Sequence, residues 1–162
     1  MEIQQVIEHI RNHSYMSGVE RDKLRVKETG EIFTRAWLSQ SSLDKIQQFD
    51  LTAFTNPTKT FIDPSCGDGN LIGEALIRKV ENGIDFETAL STIYGVDLMP
   101  DNVKLCQDRL LCGQEHLRHI VEKNIVCSDA LRYHYRFDGT EMFDKEKHFT
   151  ALFEEISAIK FN

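Results

Sequence analysis

Apolar residues near the start of the 162-residue chain recur at helical spacing. Val6, Ile7 and Ile10 predict one or two helices within residues 1–24. A second amphipathic helix is predicted over residues 35–49, with an apolar side formed by a small set of residues. These are Trp37, Leu38, Ser41 and Ile46. Residues 50–59 are rich in turn formers and predict a loop.

Short apolar runs alternate with helical patterns from residue 60 onward. Strands are predicted in "TFID", "IYGVDL" and "NIVCSDAL". Helices are predicted over residues 69–83, 85–93 and 100–113. Their boundaries follow from the stop signal Asn82-Gly83, the cap Asp85 and the first-turn Pro100. Because such alternation is typical of a parallel sheet with helices on its faces, we expect an α/β protein with a mostly parallel sheet and N-terminal helices.

The pattern changes after Leu131. Residues 132–147 alternate aromatic and polar side chains and predict a hairpin or an irregular loop. The stretch "HFTALFEEISAIKF", residues 148–161, predicts a closing helix with an apolar side. The residues on that side are Phe149, Leu152, Phe153 and Ile156. We expect one compact α/β unit over residues 51–162, preceded by a helical segment over residues 1–50.

Composition narrows the function classes. Apolar content of 41% and charged content of 28% are typical of a soluble globular protein. The formal charge of −7 disfavours autonomous binding to a phosphate backbone. The chain lacks a basic, apolar leader and a stretch that could span a membrane, so we expect a cytoplasmic protein.

Cysteine and histidine spacing gives no metal-binding pattern. The four cysteines are predicted to be free thiols, because none stands in CxxC spacing; they are Cys66, Cys106, Cys112 and Cys127. His116 and His119 lie at helical i, i+3 spacing without a matching carboxylate or thiol, and are interpreted as a surface pair.

The stretch "TFIDPSCGDGNLIG" contains the strongest candidate site. It runs from a predicted strand through Gly67 and Gly69 into a predicted helix. Such a turn presents backbone N–H groups and a helix N-terminus to an anion or a carboxylate. Glycine permits positive φ and a close approach of the ligand, which a Cβ would block. A tight strand-to-helix turn that binds no ligand has the same pattern. The glycines alone therefore do not distinguish a binding site from a structural turn.

Three aspartates strengthen the prediction of a ligand site. Asp63, Asp97 and Asp129 each end a predicted strand, at the sheet edge where open α/β sheets bind ligands. A carboxylate after the second strand is suited to a ribose diol. Asp63 would repel a pyrophosphate but attract an ammonium, and Gly73 comes one position late for a dinucleotide fingerprint. S-adenosylmethionine therefore fits these residues better than a dinucleotide.

The motifs resemble those of a known family. "DPSCGDGNL" is similar to motif I of the N6-adenine DNA methyltransferases, and "GEIFTRAWL" resembles the segment that precedes it in those enzymes. "YGVDLMP" and "NIVCSDAL" are similar to the next two cofactor motifs in order and spacing. Residues 30–131 resemble type I modification subunits and phage-encoded DNA methylases. Arg35 is a departure, because the family prefers proline at this position.

The resemblance implies a cofactor, a fold and a set of binding residues. The cofactor is S-adenosyl-L-methionine, and the fold is a truncated Rossmann-like methyltransferase fold. Thr34 would contact the methionine carboxylate and Asp63 the amino group, while Asp97 would hold the ribose and Asp129 the adenine amine. The whole implied set is Phe33, Thr34, Asp63, Pro64, Ser65, Gly67, Gly69, Asn70, Leu71, Asp97, Leu98, Asp129 and Ala130.

The family's catalytic motif, Asn/Asp-Pro-Pro-Tyr/Phe, is absent from the sequence. The three prolines are Pro57, Pro64 and Pro100, and none is next to another. The resemblance therefore implies a cofactor-binding domain that is inactive alone and contacts DNA only through a partner chain. The resemblance to type I modification subunits implies a restriction-modification system, and the resemblance to phage-encoded methylases implies a phage protein. A different-class alternative is a non-catalytic interaction or regulatory protein that reuses the fold.

The missing motif also implies a missing strand. In the family fold, strand one has a neighbour on each side, so "TFID" would be left at an apolar edge. We expect the closing helix to pack beside this strand and leave surface for a homodimer or a hetero-complex.

Overall fold

The computed structural model describes residues 2–12, 26–27 and 34–138. In these ranges it has an α/β fold with six α-helices and one three-stranded parallel sheet. The helices are α1 (Ile3–Asn12), α2 (Ala36–Phe49), α3 (Asn70–Glu81), α4 (Phe86–Ser91), α5 (Pro100–Leu111) and α6 (Arg118–Asn124), with a 3-10 turn at Glu115–Leu117 before α6. The strands are β1 (Phe61–Asp63), β2 (Ile93–Asp97) and β3 (Ile125–Cys127). The predicted closing helix at residues 148–161 lies outside the described residues.

Local signals place most helix boundaries where the sequence predicts them. The Asp85 carboxylate accepts a hydrogen bond from Thr88 N (2.9 Å) and caps α4. Asn82 ends α3, and Gly83 follows with φ +87°. Pro100 is the first residue of α5. These three predictions are confirmed.

The sheet has the strand order β1-β2-β3, which leaves β1 at an edge of the described sheet, as expected. Ile62 pairs with Tyr94, and Val96 pairs with Val126. Since side chains alternate along a strand, these four residues form one face, which we call the second face. The opposite face contains Gly95, where a Cβ would lie 2.8 Å from Cys66 Sγ and 3.1 Å from Ile72 Cδ1. That face therefore packs against α3 and carries the main core.

Helix α1 is attached to α3 by apolar and ionic contacts. Val6 and Ile10 are fully buried in the core. Arg11 forms a two-bond ion pair with the buried Glu74, at 2.9 Å from Nε to Oε1 and 3.0 Å from Nη2 to Oε2. The predicted helical face of the N-terminal segment is thus confirmed for residues 3–12.

The predicted apolar side of α2 is wrong. Ser39 and Leu43 are its buried residues, whereas Trp37 is 64% exposed and Leu38 43% exposed. A polar contact explains this orientation, because Arg78 of α3 donates to Gln40 O (2.9 Å) and to Asp44 Oδ1 (2.5 Å).

Two further elements differ from the prediction. The segment over Glu115–Asn124 was not assigned from the sequence but forms the 3-10 turn and α6. β3 covers only Ile125–Cys127 of the predicted "NIVCSDAL". Residues 50–59 form turns, as expected. No helix in the described ranges has the length and apolar character needed to cross a membrane.

Candidate functional site at the glycine turn

The turn between β1 and α3 is built from backbone hydrogen bonds and two left-handed glycines. Cys66 N donates to Val96 O (2.9 Å), which fixes the turn to β2, and Gly69 N donates to Cys66 O (2.8 Å). Gly67 has φ +54° and Gly69 has φ +88°, so both use a region that favours glycine. Gly69 is also the N-cap of α3, and no side chain caps the helix there.

A close contact within the protein also favours glycine at position 69. A Cβ at this position would lie 2.7 Å from Cys106 Sγ of α5. The glycine pattern predicts that the missing Cβ makes room for a ligand. In the structure the close approach at Gly69 is between the turn and α5.

The three aspartates lie at the same end of the parallel sheet. Asp63 is the last residue of β1 and Asp97 the last residue of β2. Asp129 follows the end of β3 by two residues. The structure therefore brings the predicted carboxylates together at the carboxyl edge of the strands.

Asp97 has a structural role at this edge. Its Oδ2 accepts a hydrogen bond from Gly67 N (2.9 Å). Its Oδ1 accepts from Met99 N (2.9 Å) and from Asn102 Nδ2 (3.2 Å). The carboxylate therefore joins the glycine turn to the start of α5, in addition to any contact with a ligand.

Asp63 lies in an environment that disfavours its ionised form. Its Oδ1 accepts from Ser65 N (3.0 Å). Burial raises the pKa of Asp63, the hydrogen bond from Ser65 opposes this, and the negative charge of Asp97 raises the pKa further. Among the described residues, no basic side chain forms an ion pair with Asp63. The site therefore favours a positively charged group close to this carboxylate.

Asp129 organises the loop after β3. Its Oδ1 accepts from Leu131 N (2.9 Å), and its Oδ2 lies 3.5 Å from Arg132 Nε. Ala130 is half-buried beside it, and Leu98 is half-buried after β2. Cys127 Sγ donates to Leu98 O (3.5 Å), which links these two loops.

The remaining predicted positions differ in placement. Pro64 and Ser65 are exposed in the turn, and the half-buried Leu71 packs against the core. Thr34 is exposed and lies two residues before α2. Asn70 is buried and bonded inside the protein. Phe33 lies outside the described residues, so its predicted contact stays a prediction.

Sequence reasoning missed a buried ion pair beneath the turn. Asp68, between the two glycines, and Arg109 of α5 are 2% and 3% exposed, and Arg109 Nη1 lies 3.6 Å from Asp68 Oδ1. Arg109 also donates to Asp68 O (3.2 Å), Asn70 Oδ1 (2.9 Å) and Ile10 O (2.7 Å). One side chain thus fixes the turn, α1 and α5 to each other.

A signal for this ion pair was present in the sequence. Val103, Cys106 and Leu110 form the apolar side of α5, and Arg109 lies on that same side. A basic residue on an apolar helical side needs a buried partner.

The cysteines are unpaired and the two closely spaced histidines lie at the surface. All four cysteines are free. The hydrogen bond with Cys106 and burial raise the pKa of Cys66 well above its usual value, so this thiol is a packing group. His116 and His119 are exposed. In the described part of the chain, no cluster of His, Cys, Asp or Glu is arranged to hold a metal ion.

Comparison of the chain with protein-family models, with curated proteins and with solved structures gave no match. The resemblance of its motifs to the adenine methyltransferases therefore depends on the residues of the turn and the strand ends themselves.

Proposed function

We propose that the chain is an S-adenosylmethionine-binding domain of the N6-adenine DNA methyltransferase type, with a truncated Rossmann-like fold. The observation that carries this proposal is the carboxylate of Asp63, whose pKa is raised by burial and by Asp97, next to the glycine turn. A ligand with an ammonium group reduces the repulsion between the two carboxylates, whereas a pyrophosphate increases it. S-adenosylmethionine carries an ammonium, a sulfonium and a ribose diol.

Each part of the cofactor has a candidate partner. Asp63 would attract the ammonium, and the turn at Gly67 and Gly69 would approach the methionine part. Asp97 would accept from ribose hydroxyls at the edge of its carboxylate, and Asp129 would accept from the adenine amine. Bound S-adenosylmethionine would supply an electrophilic methyl group, and this chain's residues would bind and orient it.

Methyl transfer to DNA would need a second chain, because the sequence contains no Pro-Pro motif. In the family, that motif accepts from the target adenine amine and stacks on the flipped base. We therefore propose that the isolated chain binds the cofactor without methylating DNA.

Calorimetry with S-adenosylmethionine tests the proposal. We expect binding by the parent chain and at least tenfold weaker binding by Asp63→Asn, because the asparagine amide cannot attract the ammonium. Asp85→Asn is the matched control: it removes the same charge from the α4 cap, where asparagine also caps well. No binding by the parent chain at millimolar cofactor would contradict the cofactor assignment. Binding of NAD⁺ instead would favour the dinucleotide class.

The second candidate is a non-catalytic interaction protein that reuses the fold. Exposed apolar side chains on and after α2 favour it: Trp37 is 64%, Phe49 92% and Leu51 77% exposed. Two results together would support this candidate. The parent chain would bind a partner protein but not the cofactor, and the Trp37→Ala variant would no longer bind that partner.

A further inference from the structure

The second face of the sheet is covered unevenly. Val96 is fully buried, whereas Ile62 on the edge strand is 45% exposed. The loop after β3 provides the cover over the centre: Phe137 is buried and its ring lies 4.8 Å from the ring of Tyr94. Tyr133 and Tyr135 pack against Phe137 at 5.2 and 6.3 Å.

A groove remains between this aromatic loop and the edge strand. Its volume is about 320 Å³, and its walls include Ile62, Tyr94 and Phe137. Lys123 and Arg136 also line it, and both are exposed. The groove therefore combines apolar and aromatic side chains with two basic ones.

We infer that this groove is the docking site of the chain's own residues 148–161, which we call the C-terminal segment. The described chain ends at Asp138, directly after Phe137 packs on the second face, so the described part of the chain ends beside the groove. The C-terminal segment presents Phe149, Leu152 and Phe153 at helical spacing. Docking on this face differs from pairing with the edge of β1.

Charge complementarity supports the same occupant. The C-terminal segment carries Glu154, Glu155 and Lys160, a formal charge of −1 with His148 neutral. Glu155 borders the apolar side of the helix predicted over this segment, at a position suited to Lys123 or Arg136. The two basic residues of the groove lining therefore complement the paired glutamates of the segment.

Tethering favours the chain's own segment over a second copy. Nine residues, 139–147, separate Asp138 from the C-terminal segment in the sequence, and a linker of that length gives an effective concentration of about millimolar. A second copy at micromolar concentration competes at a disadvantage of roughly a thousandfold. Partner proteins face the same disadvantage.

Photo-crosslinking of the full chain tests this docking. A benzoyl-phenylalanine replaces Ile62, and equal amounts of ¹⁴N- and ¹⁵N-labelled chains are mixed before irradiation. We expect crosslinks from position 62 to residues 148–161 within chains of a single label. The matched control has the probe at Phe49, which is 92% exposed on α2, and gives no such crosslink. Mixed-label crosslinks would show a second copy, and an absence of crosslinks to the segment would show a different cover; either overturns the inference.

Hydrogen exchange with paired variants gives an independent readout. Phe153→Asp should speed exchange in residues 60–63 and 133–137 at least tenfold, because it expels the segment from the groove. Ala151→Asp adds the same charge on the polar side of the predicted helix and should leave these rates unchanged. Equal exchange in the two variants would overturn the inference.

Discussion

Gly69 and Gly83 have almost the same φ angle but different surroundings. Their φ angles are +88° and +87°, so an added Cβ is strained at both. At Gly69 the Cβ also meets Cys106 Sγ at 2.7 Å, whereas nothing lies within 4 Å at Gly83. We expect Gly69→Ala to destabilise by about 1–3 kcal/mol more than Gly83→Ala, because overpacking adds to the shared strain.

Urea denaturation measures this difference. In the background Cys106→Ala the clash is removed, so the two glycine substitutions should then cost nearly the same. Equal costs in the parent background would contradict the close approach of the turn to α5.

Asp63 gives a residue-scale prediction with opposite effects on stability and on binding. Its pKa is raised in the folded protein, so its favourable contribution is present below the unfolded pKa and is lost as pH rises through the folded pKa. At pH 7 the ionised carboxylate therefore destabilises the empty protein. Asp63→Asn keeps the acceptor for Ser65 N and should raise Tm by roughly 1–2 °C, a small value because the half-buried group is partly screened.

The stability gain should shrink as pH falls through the raised pKa, because Asp63 is then neutral in the parent chain too. Cofactor affinity of the parent chain should fall over the same range, since a protonated carboxyl does not attract an ammonium. Thermal melts and calorimetry from pH 7 down to the range of ordinary carboxyl groups measure both. A lower Tm for Asp63→Asn at pH 7 would indicate a favourable partner for the carboxylate.

At the scale of elements, an ion pair with one buried end contributes to the attachment of α1. Arg11 is partly exposed, but the Glu74 side chain is 4% exposed. Arg11→Ala leaves a buried carboxylate without its partner and should destabilise by about 1.5–3 kcal/mol. Lys104→Ala removes the same kind of group from the exposed pair with Asp108 on α5 and should cost less than about 0.5 kcal/mol.

Chemical denaturation with a probe on α1 separates these two variants. The free energy of unfolding should fall only for Arg11→Ala, and hydrogen exchange in residues 3–12 should rise with it. Similar costs for the two variants would mean that α1 is held by its other contacts, which are the apolar ones and the hydrogen bond from Arg109 to Ile10 O.

Elements with local signals could be predicted from the sequence, and elements positioned by distant contacts could not. Asp85, Pro100 and the Asn82-Gly83 pair act within one turn of their helices, so α3, α4 and α5 begin or end where expected. The orientation of α2 depends on Arg78, which is far away in sequence.

The same distinction applies to the candidate site. Asp63 and Asp97 could be placed because each ends an apolar strand. The hydrogen bond from Gly67 N to Asp97 joins residues 30 positions apart. Helical and strand periodicity describe only near neighbours, so this bond could not be predicted from the sequence.

At the scale of the whole molecule, charge limits what the isolated chain can bind. The net charge of −7 repels duplex DNA, and ionic screening weakens this repulsion without reversing it. We expect no detectable binding of a labelled duplex at micromolar protein and physiological salt, measured by fluorescence anisotropy. Binding that weakens steeply with added salt would reveal a basic surface and contradict the proposed need for a partner chain.

The edge of β1 sets an expectation for assembly. β1 lies at the edge of the described sheet but is only three residues long, so strand pairing alone offers few hydrogen bonds. We expect any homodimer through this edge to be weak, with a molar mass in light scattering that rises with concentration in the micromolar range. A constant monomer mass, with slow exchange in residues 61–63, would show that the chain covers the edge itself.

The buried pair of Asp68 and Arg109 restricts how this protein can evolve. Loss of Arg109 alone removes the cationic partner of the buried Asp68 carboxylate, at a cost of about 3 kcal/mol, whereas neutral residues at both positions avoid that cost. In relatives of this chain, positions 68 and 109 should therefore vary together across their 41-residue separation. This correlated exchange at positions 68 and 109 could identify relatives whose overall sequence identity is too low to detect.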